Sequence, residues 1–100
     1  MTLDDACEKF YSAVRTLAIM DRDIKSRLTD AVVNNIAHVD PEKDLPDNLR
    51  DKFNRMLEEL TTEGSIPETI AYMTNMKASN VAGEVVSLYD ELVKENYKAL

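Results

Sequence analysis

The chain is short of the residues that most protein chemistry is built on. Its 100 residues hold one cysteine, one histidine, two glycines, three prolines and no tryptophan. A lone cysteine, Cys7, makes no intrachain disulfide and no zinc site of several thiolates. Two glycines leave no phosphate-cradling loop, and Walker A, G-x-G-x-x-G, H-E-x-x-H and C-x-x-C patterns are absent. No apolar run approaches the roughly 20 residues that span a bilayer. Met1-Thr2-Leu3-Asp4-Asp5 is acidic where a secretory leader is basic and then apolar, so a reducing, cytoplasmic setting is expected. Cations are also scarce: 12 Lys and Arg against 19 Asp and Glu leave a net charge of -7. That balance disfavours direct binding to nucleic-acid phosphates or to anionic membranes.

What the chain does have is helical periodicity. Apolar residues are 44% and charged residues 31% of the sequence, a balance that suits one globular domain over 1–100 and argues against disorder. Leu3, Cys7, Phe10, Val14 and Leu17 repeat every three or four residues, predicting a helix over about 3–20 with Cys7 on its apolar face. Thr2 and Asp5 are spaced as a capping box for it. A second pattern, Ile24, Leu28, Ala31 or Val32, Asn35 or Ile36, and Val39, predicts a helix over about 23–38, with Asp21 or Asp23 as its cap. Asp40 to Pro46 reads as a loop, because two prolines five residues apart cannot share one undisturbed helix.

Leu49, Phe53, Met56, Leu57 and Leu60 predict a helix over about 46–62, stopped at Gly64. Ser65-Ile66-Pro67-Glu68 matches a capping box with proline in the first turn, opening a short helix over about 66–73. The last helix, about 76–97, is either separate or the continuation of a bent rod, with Thr74 or Ser79 as candidate caps. It carries one apolar row, Val81, Val85, Leu88 and Leu92, and beside it a second, Ala82, Val86, Tyr89 and Val93. Gly83 within it suggests close packing against a neighbour. No strand pattern survives. The expected fold is all-α, a single-domain four- to five-helix bundle with mostly antiparallel neighbours.

Chemistry-bearing constellations are sparse. His38 follows Asn34 and Asn35, which do not activate it, so it reads as a structural or solvated histidine. Asp40, Glu42 and Asp44 begin like a calcium loop, but Leu45 stands where the turn needs glycine and Asp51 where it needs glutamate. No metal, cofactor or catalytic residue is therefore assigned. Arg15, Arg22, Lys25 and Arg27 cluster near the first helix junction. Ion pairing with Asp21, Asp23 and Asp30 is expected of them, with a local anion site as the alternative.

The two apolar rows of the last helix make an arc wider than a surface helix needs. Either that helix is central, or its second row is a contact surface. This points to a non-enzymatic interaction or regulatory protein. It would bind a protein partner, or itself as a homodimer, through Val86, Tyr89 and Val93. A second reading is an acidic inhibitor or nucleic-acid mimic that offers Asp40, Glu42, Asp44, Asp47 and Asp51 to a basic groove. A third is a small-ligand or enzyme pocket between helices using Tyr11, Tyr72 or His38. The helix caps, Asp44-Leu45-Pro46 before a helix and the Leu88-Tyr89-Asp90-Glu91-Leu92 tail resemble small helical bacterial proteins. The density of acid resembles, in type, phage-encoded inhibitors of nucleic-acid-binding machinery.

Overall fold

Helix starts in this chain are fixed by side chains that accept the free N–H groups of the first turn. The Asp23 carboxylate accepts from Ser26 N–H at 2.7 Å and opens α2 (Ile24–Asn34). The same hydrogen bond holds the Asp23 carboxyl below its ordinary range. Ser65 Oγ accepts from Glu68 N–H at 3.2 Å and opens α5 (Ile66–Tyr72), with Pro67 in the first turn. Thr74 Oγ1 accepts from Lys77 N–H at 3.0 Å and starts α6 (Asn75–Ala99), which separates α5 from α6. Gly64, at φ +102°, takes the left-handed conformation that ends the turn after α4 (Asp47–Glu59).

The computed structural model describes residues 3–99, so the Thr2 capping box before α1 (Leu3–Ile19) lies outside the described residues. All the regular structure among the described residues is helical. Six α-helices and one 3₁₀ turn form a single globule, with a radius of gyration of 12.9 Å, against about 13 Å for a compact chain of this length.

Two stretches depart from expectation. The helix expected over 23–38 breaks at Asn35, whose side chain donates back to the Ala31 carbonyl at 3.2 Å, and a 3₁₀ turn follows over Ile36–His38. A side chain that bonds its own previous turn competes with helix propagation. Residues 40–46, expected to be a loop, contain the four-residue helix α3 (Pro41–Asp44). Asp40 caps Glu42 N–H at 3.0 Å while Asp44 Oδ2 accepts from Asp40 N–H at 2.9 Å. The two prolines then open two separate helices, Pro41 in the first turn of α3 and Pro46 as the residue before α4.

The core is continuous through all the longer helices. Phe10 of α1 and Phe53 of α4 are fully buried, with ring centroids 6.0 Å apart. Leu28 and Val32 of α2, Ile70 of α5, and Val81, Val85, Leu88 and Leu92 of α6 close around them. Helix α6 lies against α1, α2 and α4. The Cys7 S–H points at the Leu92 carbonyl at 3.6 Å and Tyr11 meets Tyr89, so α1 and α6 run in opposite directions. Cys7 itself is partly buried, and burial, aided by Asp4, pushes its thiol pKa up. No helix among the described residues is long and apolar enough to cross a membrane.

Candidate functional site

Helix α6 is flanked by two surfaces of opposite character. On the α1 side, its outer row leaves the core: Val86 is 45% exposed, Val93 41% and Tyr97 78%. Tyr89, between the two valines, is half-buried against the core, and its ring centroid lies 6.2 Å from that of Tyr11. Tyr11, 51% exposed, carries this apolar surface onto α1. Expected contact residues Val86, Tyr89 and Val93 thus fall on one side of α6. The inner row at Val81, Val85, Leu88 and Leu92 is buried. The wide apolar arc is divided between core and surface.

Sequence reasoning missed two members of this face. Tyr97 continues it at i+4 from Val93 and i+11 from Val86, a spacing that was there to be read. Tyr11 joins it only because α1 and α6 pair at that level. Glu8 and Arg15, both exposed, lie one turn to either side of Tyr11 on α1. Neither makes an ion pair or hydrogen bond among the described residues.

On the α4 side, an open groove of about 510 Å³ runs between α4 and α6 over Met56 and Leu88. Of its charged lining residues, Lys52 pairs with Glu91 at 2.7 Å and Glu59 with Lys77, beyond the lining, at 2.8 Å, while Arg55 and Glu84 have no ion pair among the described residues. Gly83 lines this groove, and nothing lies within 4 Å of where its Cβ would stand. The close approach expected at Gly83 is therefore not made, since that side of α6 faces the groove and not a helix. Burial, and then the charge of Glu59, raise the Glu84 carboxyl pKa.

The five acids of the alternative acidic face are brought near one another but do not form a free carboxylate surface. Asp44 is 2% exposed and holds the Asp40 N–H. Asp40 caps α3, Asp47 pairs with Arg50, and of the five only Glu42 and Asp51 are exposed acids whose carboxylates have no partner among the described residues. Asp44 cannot face a partner as expected, because it completes the cap of α3.

The basic cluster also differs from expectation. Instead of pairing with neighbouring aspartates, Lys25 donates to the Ala71 carbonyl at 2.7 Å and Arg27 to the Leu17 carbonyl at 2.7 Å. Lys9 does the same at His38 (3.0 Å), and Arg50 at Pro41 (2.9 Å) and Glu42 (3.2 Å). Cations at helix C-terminal ends satisfy carbonyls that have no helical partner and favour the negative end of the dipole. Much of the small basic complement is committed to holding helix ends together.

The groups proposed for a ligand pocket are scattered. Tyr11 lies on the α1–α6 face, His38 is exposed at the end of the 3₁₀ turn, and Tyr72 is exposed at the end of α5. Tyr72 lines a hollow of about 290 Å³ with Glu59, Thr62, Glu63, Thr69, Met73 and Lys77, which includes neither of the other two. Among the described residues no group of three His, Cys, Asp or Glu is placed to hold a metal ion. No family model, no curated protein and no solved structure matches this chain.

Proposed function

We propose that this is a non-enzymatic interaction protein of the cytoplasm, a helical bundle with mostly antiparallel neighbours that binds a protein through its α1–α6 face. The anchors are Val86, Tyr89 and Val93, joined by Tyr11 and Tyr97. One observation carries the reading: Val86, Val93 and Tyr97 stand in a row along α6 outside the core, and Tyr11 joins it from α1 through its contact with Tyr89, whereas Ile19, Val33, Tyr72 and Met76 are exposed elsewhere. Such rows on soluble domains mark partner sites, and aromatic side chains are the usual anchors within them. The opposite side of α6 supports the contrast, since Lys52–Glu91 and Lys77–Glu59 are matched there within the chain.

The test is the sedimented mass of the full chain, purified without denaturation from cells that make it. A mass above the 11.3 kDa of one chain is expected. The double substitution Val86→Asp with Val93→Asp should return it to the single-chain mass with the helical circular dichroism unchanged. A complex that survives both substitutions would place the contact elsewhere.

A further inference from the structure

We propose that the α1–α6 face docks on a second copy of this chain, about a twofold axis that crosses both helices at the level of Tyr11 and Tyr89. The inference rests on the interaction reading above and adds the identity and geometry of the partner. A twofold contact is self-complementary: if residue i of one copy meets j of the other, j must meet i. The face meets that requirement twice over, on two different helices.

On α1, Glu8 and Arg15 are opposite charges seven residues apart on one side of the helix, with Tyr11 and Ser12 at their midpoint. Their backbones stand about 10.5 Å apart along the axis. Both are exposed, and neither has a hydrogen-bond or ion-pair partner among the described residues. On α6, Val86 and Val93 are also seven apart, with Tyr89 and Asp90 at their midpoint. The 6.2 Å contact between Tyr11 and Tyr89 sets the two midpoints at the same level. One axis, lying in the contact plane and crossing both helices there, therefore reverses each helix on its own copy. Glu8 then faces Arg15 of the second copy, Arg15 faces Glu8, and Val86 faces Val93.

The size of the face fits a reversible dimer. Helix α1, with 17 residues, is about 25 Å long, and two helices side by side are about 20 Å wide, giving roughly 500 Å² per copy. The total, about 1,000 Å², sits at the lower bound of specific interfaces and suits association in the micromolar range. In the α4–α6 groove, by contrast, Lys52 and Lys77 already have their carboxylates.

Charge exchange tests the axis directly. In Glu8→Arg both positions of every copy are positive, and in Arg15→Glu both are negative, so each variant alone sets two like-charged contacts across the dimer. Mixed in equal amounts, the two variants restore both opposite contacts, and their summed charge equals that of two wild-type chains. Sedimentation should show self-association of each variant weakened at least about tenfold. The mixture should return to within about threefold of wild type, with the heterodimer seen by native mass spectrometry and circular dichroism unchanged throughout. A wild-type complex that Val86→Asp with Val93→Asp abolishes but the charge exchange leaves unmoved would overturn the twofold and spare the interaction reading. A complex indifferent to the valine substitutions would overturn the interaction reading itself. A wild-type chain that stays single at millimolar concentration would overturn the second copy as partner.

Discussion

The two sides of α6 are built from the same helix and end in opposite states. Toward α4, the exposed side chains are mostly polar or charged, and Lys52–Glu91 and Lys77–Glu59 match four of the charges within the chain. Toward α1, the exposed side chains include Val86, Val93, Tyr97 and Tyr11; on α6 Asp90 pairs with Lys94, while on α1 Glu8 and Arg15 have no ion pair among the described residues. A surface whose groups satisfy one another has little to gain from a partner. One that leaves apolar area wet and charges single gains by covering them.

The largest effect should come from the ring pair beneath both sides. Phe53→Ala leaves a cavity against Phe10 and is expected to lower the unfolding free energy by about 3–5 kcal/mol, read by chemical denaturation. Because Phe10 belongs to α1 and Phe53 to α4, both surfaces should loosen together. A loss confined to the α4 side, by hydrogen exchange, would show that the flanking helices are held independently.

At the other extreme lies Glu84, in the wall of the charged groove. Burial, then Glu59, raise its folded pKa above the unfolded one, so the folded state binds this proton more tightly. Stability associated with Glu84 therefore falls as pH rises through that interval. Glu84→Gln should stabilise the chain at pH 7, by up to about 0.5 kcal/mol because the group is solvent-screened. The gain should fade as pH falls below the ordinary glutamate value of 4.5. A substitution that destabilises at pH 7 would mean that the Glu84 charge is matched within the chain.

Much of the fold was readable because its signals are local. Ser65 and Glu68, Asp23, Gly64 and the three-and-four spacing on α1, α4 and α6 each act within a few residues. The features that escaped reading depend on what lies across space. Arg27 and Lys25 look like members of a surface charge cluster until α1 and α5 bring the Leu17 and Ala71 carbonyls to them. Asp44 looks like a solvated acid until α3 closes over it. Gly83 looks like a packing site, yet it faces a groove. The second apolar row of α6 was legible as a row. That Tyr11 would join it was not, because the register of α1 on α6 is a tertiary property.

Site-specific photo-cross-linking compares the two sides most directly. With the cross-linking side chain placed at Val93 on the α1 side, or at Ser87 in the α4 groove, the same folded chain reports on each surface under native conditions. A single defined cross-linked product from Val93, and only solvent-quenched monomer from Ser87, is the predicted result. Equal yields from the two positions, or a product from Ser87 alone, would contradict the assignment of the α1–α6 face as the surface that meets a partner.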